Sequence, residues 1–221
     1  ASTGNATDFG NLTSVTQSPA SVGNETRGIW AGGYAPTATN KIDYVTIATT
    51  GNAADFGDCV ATMATMAGAS SPTRGVFGGG YKPSAGTNVL QYVTIASTGN
   101  ATDFGDMTAA TWGGHACSSN TRWAYGGGAA PGYVNTIQYL TIATTGNAAD
   151  FGDLIQTQGY NASTSNGTRG IWAGADPTST FLNIIQYVEI ASTGNAKDFG
   201  DMTTIRAYGS GTSDSHGGLS E

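Results

Sequence analysis

The chain has 221 residues, of which 34 are Gly and 33 are Thr, and only 10% are charged. Its 21 aromatic side chains exclude a charge-driven disordered chain, and its wealth of Gly and Thr, both poor helix formers, excludes a helical bundle. The remaining class is an all-β protein with many short strands and tight turns.

Three phrases recur along the chain at a fixed period. The first, Thr-Gly-Asn-Ala-x-Asp-Phe-Gly, occurs five times, and its Asp residues follow one another by 47 or 48 positions: Asp8, Asp55, Asp103, Asp150 and Asp198. The second contains an Arg that always comes 18 residues after the motif Phe: Arg27, Arg74, Arg122 and Arg169. The third, Ile-x-Tyr-Val-Thr-Ile-Ala with small variations, precedes each later motif. Such a period is the signature of a tandem-repeat fold.

Each unit predicts four strands, a to d. Strand a follows the Phe-Gly turn, as in 13–22, strand b follows the Arg, strand c is the Ile-x-Tyr run, and strand d is a short piece around Asp-Phe-Gly. Four short antiparallel strands at this spacing are typical of β-propeller blades. We predict one propeller domain over residues 1–221. It has an unpartnered strand d at 1–12, blades at 13–58, 59–106, 107–153 and 154–202, and closing strands at 203–221.

The unit resembles a kelch repeat, in which a Gly-Gly doublet ends the second strand and aromatic residues mark the third and fourth. The doublet is present as Gly32-Gly33, Gly79-Gly80 and Gly127-Gly128, and the fourth unit breaks it with Ala175. Tyr44 and Phe56, with their repeat equivalents, stand at the aromatic positions. The recurring Thr-Gly-Asn-Ala-x-Asp-Phe-Gly-Asp phrase also resembles virion structural proteins of marine tailed phages. These resemblances imply kelch-like blades and a tail-fibre or decoration protein.

The two ends of the chain leave the number of blades open. Aligned with the repeat, the N-terminus supplies a strand d and the C-terminus supplies a strand a with part of b. A ring of five such blades lacks about 16 residues, which are one b–c loop and one strand c. We expect a five-bladed propeller whose fifth blade is built from both termini. The alternatives are a four-bladed ring and a part of a larger ring.

Charged residues of the repeat have a structural and a functional interpretation. The two carboxylates of each motif, such as Asp55 and Asp58, are spaced to hold Ca²⁺, but Asp is also a turn residue that accepts backbone N–H groups. We favour the structural interpretation and predict no metal and no other cofactor. The repeat Arg either lines a central channel that binds anions or pairs with a motif Asp, and we favour the ion pair.

Few residues are suited to catalysis. Cys59 and Cys117 fall at non-equivalent small or apolar repeat positions, so we predict two free thiols that pack as hydrophobic residues. His115 and His216 are the only histidines, and neither has metal-ligand spacing. No nucleophile elbow or phosphate-binding loop occurs. We predict no catalytic residues and no enzymatic activity.

The b–c loops differ between units whose other parts are nearly identical. Antiparallel blades place all of them on one face, and loops on a rigid scaffold commonly carry binding residues. Aromatic rings beside Asn and Thr suit sugars, whereas the alternative is an inert solvent loop. The candidate ligand-binding residues are Tyr34, Asn40, Tyr81, Asn88, Tyr133, Asn135, Phe181 and Asn183.

These observations favour a non-enzymatic virion structural or host-attachment protein, virion-borne or extracellular, whose loops bind surfaces or glycans. The alternative is a secreted, lectin-like propeller of cellular origin. Expected partners are other virion proteins or host-surface glycans, and a homo-oligomer is also compatible with the sequence. Eight scattered Lys and Arg residues argue against nucleic-acid binding. Because no run of about 18 apolar residues occurs, we predict no membrane insertion.

Overall fold

The computed structural model describes residues 4–83, 85–177 and 181–212, and these residues form seventeen β-strands and no helix. The all-β prediction is confirmed. The strands make four antiparallel sheets, with strands in chain order except that the short β7 of sheet 2 pairs with β8, which also pairs with β6 and β9. Sheet 1 contains β1 (Ala20–Gly23), β2 (Arg27–Ala31), β3 (Thr39–Thr46) and β4 (Ala54–Met63). Sheet 2 contains β5 (Ala67–Ser70), β6 (Arg74–Gly78), β7 (Tyr81–Lys82), β8 (Ala85–Thr94) and β9 (Thr102–Thr111). Sheet 3 contains β10 (His115–Ser118), β11 (Arg122–Gly126), β12 (Thr136–Thr141) and β13 (Ala149–Asp153). Sheet 4 contains β14 (Ala162–Asn166), β15 (Arg169–Ala175), β16 (Leu182–Glu189) and β17 (Lys197–Arg206).

In sheets 1, 2 and 4 the fourth strand is longer than the sequence predicted, whereas β13 of sheet 3 is a short strand. β4 runs through the motif to Met63, so sheet 1 spans 20–63, whereas the first predicted blade spans 13–58. The reason lies in the pairing of β3 with β4, whose register shifts between Ile42 and Asp43 opposite the Phe-Gly pair. The Phe-Gly pair is therefore a bulge within a continuous strand rather than a turn between two strands.

The buried core lies between neighbouring sheets. Ile29 and Ile42 of sheet 1 pack in one cluster with Phe77 and Ile95 of sheet 2. Equivalent positions form a second cluster between sheets 2 and 3 and a third between sheets 3 and 4. In sheets 2 and 3 the third strand is covered on both faces, which explains its β-branched and aromatic composition.

The first strands of the four sheets lie side by side around a central cavity of about 190 Å³. Serine hydroxyls bridge them in sequence. Ser70 Oγ donates to the Gly23 carbonyl at 2.7 Å, Ser118 Oγ to the Ser70 carbonyl at 2.8 Å, and Ser165 Oγ to the Ser118 carbonyl at 2.8 Å. The segment 210–212 also lines the cavity. Sheets arranged around a cavity by their first strands are compatible with a propeller-like fold.

The Thr-Gly-Asn motif joins each sheet to the one before it. Gly99 N donates to the Phe56 carbonyl at 2.7 Å, and Ala101 N donates to the Asp58 carbonyl at 2.8 Å. In return, Asp58 N donates to Asn100 Oδ1 at 3.0 Å. The same three bonds recur in the other copies, so the motif forms four such joints, which we call the outer joints. The first links the N-terminal segment, through Phe9 and Asn11, to sheet 1.

The repeat Arg residues contradict the prediction of an ion pair with a motif Asp. Each guanidinium carbon lies 4.5–4.8 Å from the ring centroid of the Tyr in its own sheet. In sheets 1 to 3 the Nη1 group donates to a carbonyl at the end of the third strand of another sheet, as Arg27 does to Ile95 at 2.8 Å. The described lining of the central cavity contains none of the four. The Arg residues bond to these carbonyls because a backbone carbonyl is already fixed in position by the sheet, whereas the motif Asp residues lie at the outer joints.

Two further predictions concern the buried and the terminal parts of the chain. Cys59 and Cys117 are free and buried, as predicted. The part of the predicted closing strands from 213 to 221, including His216, lies outside the described residues. The described part of the chain includes no helix long and apolar enough to span a membrane.

Candidate functional site

Two sets of connections share one face of the molecule. In an antiparallel sheet with strands in chain order, the chain leaves the second strand on the same side on which it enters the first. The connections between second and third strands and the connections between successive sheets therefore lie together. We call this side the loop face. It carries the predicted binding loops and also the residues that precede β5, β10 and β14.

An aromatic cluster stands on the loop face around sheet 4. The ring centroids of Tyr160 and Tyr208 are 4.6 Å apart, Tyr133 lies 6.4 Å from Tyr160, and Phe181 lies 6.4 Å from Tyr208. Edge-to-face and tilted contacts at these distances are favourable for aromatic rings. Tyr208 is 63% exposed and Phe181 is 41% exposed, so the cluster presents ring surface to solvent.

A buried carboxylate contacts this cluster. Asp176 is only 8% exposed, and its side chain hydrogen-bonds to Tyr208. Desolvation raises the pKa of the Tyr133 and Tyr208 hydroxyls, and the nearby Asp176 charge raises both further. Both hydroxyls therefore remain protonated at neutral pH. The Tyr208 hydroxyl donates its proton to Asp176 and offers its oxygen as an acceptor, whereas Tyr133 can act as a hydrogen-bond donor.

Backbone geometry fixes the two central rings. Tyr160 and Tyr208 have φ values of +52° and +59°, a conformation that L residues with side chains rarely adopt. Each backbone N–H donates to the equivalent residue of the preceding sheet, from Tyr160 to Gly113 and from Tyr208 to Tyr160. A Cβ on Gly113 would lie 2.8 Å from the Tyr160 ring. The glycine thus makes room for Tyr160, and the strained backbone persists because these contacts hold it.

The structure brings together two of the four predicted aromatic residues. Tyr133 and Phe181 belong to the cluster. Tyr81 instead meets Trp112 edge to face, with ring centroids 5.8 Å apart. Tyr34 is 46% exposed, and its backbone bridges to Gln17 and Ala38.

The predicted asparagines lie in or beside the third strands rather than at loop tips. Asn40, Asn88 and Asn183 each occupy a position where the pairing of the third and fourth strands shifts register. Asn135 precedes β12, and its carbonyl accepts from Leu154 N at 2.7 Å. All four are half-buried. Their backbone positions belong to the framework that carries the loops.

Sequence reasoning missed Trp112, Tyr160, Tyr208 and Asp176. The signal that identifies the two tyrosines is the same variation that identified the b–c loops. Their repeat equivalents are Ser18, Thr65 and Gly113, so this position varies between units. In the sequence the connections between sheets resemble framework, because nothing there shows which face they share.

The remaining titratable residues of the described ranges show no catalytic grouping. No cluster of three or more His, Cys, Asp or Glu side chains suited to a metal ion occurs within 4–83, 85–177 and 181–212. Burial lowers the pKa of His115, at the central cavity, to about 4 and raises the pKa of the Cys117 thiol to about 12. The motif carboxylates of Asp8 and Asp198 accept from backbone N–H groups two residues on, at 3.0 and 3.1 Å.

A scan against protein-family models and a search of curated proteins found no match for this chain.

Proposed function

We propose that this chain is a non-enzymatic virion structural or host-attachment protein, virion-borne or extracellular, whose rigid scaffold presents the loop face to glycans of a host surface. The observation that carries the binding part is the aromatic cluster of Tyr133, Tyr160, Phe181 and Tyr208. It is built from residues that the repeat does not dictate. Framework residues in such a chain are nearly identical from sheet to sheet, so a cluster made only of variable positions points to a ligand.

The chemistry of this cluster suits a sugar. Exposed aromatic faces bind the apolar C–H faces of pyranose rings, and the protonated Tyr133 hydroxyl can donate to a ring or hydroxyl oxygen. The half-buried Tyr133 and Tyr160 rings form the floor, and the more exposed Tyr208 and Phe181 form the wall. Because the backbone already holds Tyr160 and Tyr208, little conformational entropy is lost on binding.

As the scaffold we propose a kelch-like five-bladed propeller whose fifth blade uses both termini. Two observations support it. Thr164 Oγ1 donates to the Thr212 carbonyl at 2.6 Å, so 210–212 follows β14 around the cavity as each first strand follows the one before. The N-terminal segment docks on sheet 1 through the same outer joint that fourth strands make. A four-bladed ring and a part of a larger ring are the alternatives that a crystal structure would distinguish.

A glycan array tests the binding proposal. We expect the native chain to bind a defined set of glycans and Tyr208→Ser to bind the same glycans about tenfold more weakly, because it loses the most exposed ring of the cluster. Tyr34→Ser is the matched control, since Tyr34 is an exposed tyrosine on the same face that lies outside the cluster. Loss of binding in both variants, or in neither, would contradict this site.

A secreted, lectin-like propeller of cellular origin is supported by the same cluster. Antibody labelling separates the two proposals. Labelled particles in electron micrographs support a virion component, whereas label confined to the secreted fraction of a producing cell supports the alternative.

A further inference from the structure

An apolar groove of about 550 Å³ lies between the N-terminal segment and the outer face of sheet 1. Its apolar lining is Phe9, Leu12, Trp30, Val45 and Ile47. This groove is remote in sequence from the aromatic cluster and makes no use of it.

The same positions are closed wherever two described sheets meet. Ile47 is 48% exposed, whereas its equivalents Ile95, Ile142 and Ile190 are at most 1% exposed. Phe9 is 38% exposed, whereas its equivalents Phe56, Phe104 and Phe151, which lie between two described sheets, are at most 3% exposed. The remaining equivalent, Phe199, which no described sheet follows, is 54% exposed. The groove is therefore an inter-sheet junction that, among the described residues, lacks one of its usual components.

The component is identified by what fills the closed junctions. Between sheets 1 and 2, Ile42 and Tyr44 of β3 belong to the cluster that covers Phe77 and Ile95. Tyr44 also meets Phe56 edge to face, with ring centroids 5.7 Å apart. Both side chains come from one third strand with the pattern Ile-x-Tyr. Phe9 lacks such a tyrosine among the described residues.

The backbone beside the groove lacks the same strand. In sheet 1, Ile42 pairs with Gly57 and Tyr44 pairs with Ala54. The equivalent positions of the N-terminal segment are Gly10 and Thr7, and no described strand pairs with them. This segment is not itself a β-strand, and the Gly10 N–H donates to Asp8 Oδ1 at 3.0 Å, but its other backbone groups that pair with no described strand can accept an extended peptide through main-chain hydrogen bonds.

The open side of sheet 4 has the complementary feature. Arg27, Arg74 and Arg122 donate to carbonyls at the end of a third strand in another sheet. Arg169 has no such strand in the described residues and bonds instead to Glu189 at 2.9 Å. A Cβ on Gly200 would meet nothing within 4 Å, whereas a Cβ on the equivalent Gly57 would touch the next sheet. In the closed junctions these partners are the end of a third strand and the Thr-Gly-Asn segment that follows it, so the repeat predicts a third strand on each open side.

We propose that this groove is a strand-acceptor site for an extended peptide with the chemistry of the third strands. The peptide has Ile or Leu and Tyr two residues apart, which fill the groove, followed by Val or Leu, Thr and Ile. It adds to the backbone of the N-terminal segment at 7–11 as each third strand adds to its fourth. The Ile-x-Tyr pair determines the specificity, because alternate residues of a strand point to the same face and both side chains therefore enter the groove.

The test uses the 221-residue chain and a synthetic peptide with the sequence of residues 87–97. We expect binding of one peptide per chain by calorimetry, with slowed amide hydrogen exchange at 7–11. A peptide with Leu90→Ser and Tyr92→Ser is expected to bind at least roughly a hundredfold more weakly, on the order of the transfer cost of two buried side chains.

Two chain variants locate the site. Ile47→Asp is expected to abolish binding, because it places a charge in the apolar groove. Ile155→Asp is the matched control, since Ile155 is 46% exposed but lies away from the groove, and it is expected to leave binding unchanged. The proposal is overturned if the native peptide does not bind at about 1 mM, if the two peptides bind equally, or if both variants act alike. A stable dimer that covers the groove would also overturn it.

Discussion

The substitution Gly57→Ala adds one methyl group at the outer joint between sheets 1 and 2 and so tests how much that joint contributes to stability. The φ of Gly57 is +147°, and a Cβ built on it would lie 2.5 Å from the Gly99 carbonyl oxygen. Gly57→Ala therefore has two costs. A non-glycine residue in this region of φ costs about 1–3 kcal/mol. The clash additionally separates the two sheets, and with them three hydrogen bonds of 2.7, 2.8 and 3.0 Å, each contributing about 1 kcal/mol.

Gly200→Ala separates these two costs. Gly200 holds the same motif position with φ +137°, but nothing lies within 4 Å of its Cβ direction. We expect Gly200→Ala to show the φ cost alone and Gly57→Ala to lose about 3 kcal/mol more. The assay is equilibrium unfolding in urea followed by far-UV circular dichroism. Equal destabilisation of the two variants, within about 0.5 kcal/mol, would refute the role of the motif glycine as a contact between sheets.

Buried groups give three more predictions. The pKa of His115 is about 4 in the folded protein against an ordinary 6.5, so the unfolded chain takes up the proton first as the pH falls. The contribution of His115 to stability is therefore fully present above pH 6.5. The free energy of unfolding falls by up to about 3 kcal/mol towards pH 4. His115→Gln is expected to remove this part of the pH dependence of the unfolding free energy, and an unchanged pH profile would contradict it. Arg122→Met loses the hydrogen bond to the Ile190 carbonyl and the contact with the Tyr139 ring, and we expect it to lower the free energy of unfolding by about 1–2 kcal/mol. Arg169→Met breaks an exposed ion pair with Glu189 and is expected to change the urea midpoint less. Cys117→Ser buries a hydroxyl among apolar neighbours and is expected to lower the melting temperature more than Cys117→Ala, and a higher melting temperature for the Ser variant would contradict that environment.

Much of the fold is readable from the chain because each unit repeats the same local pattern. The β-branched third strand, the glycines after the second strand and the apolar slots of Cys59 and Cys117 all predict their observed environments. The sequence does not show where the fourth strand of one unit ends and the first strand of the next begins, since Phe-Gly followed by a polar residue is compatible with both a turn and a bulge. Only pairing with the neighbouring strand selects the bulge.

The candidate site was predicted in part for a related reason. Variation between units identified the loops that hold Tyr133 and Phe181, but it did not show that Tyr160 and Tyr208 share their face. That requires knowing where the chain crosses from one sheet to the next. The asparagines beside the loops were selected for their side chains, whereas the structure uses their backbone at a register shift.

The sequence by itself determines the period, the strand order within a unit and the buried faces, because these follow from residue type at short range. Tertiary structure alone decides how the units meet. Arg27 bonds to a backbone carbonyl 68 residues away, and Ser118 bonds to one 48 residues away. Every residue carries a backbone carbonyl, so no side chain in the sequence records which one is used. The groove beside the N-terminal segment is likewise visible only against the closed junctions of the folded chain.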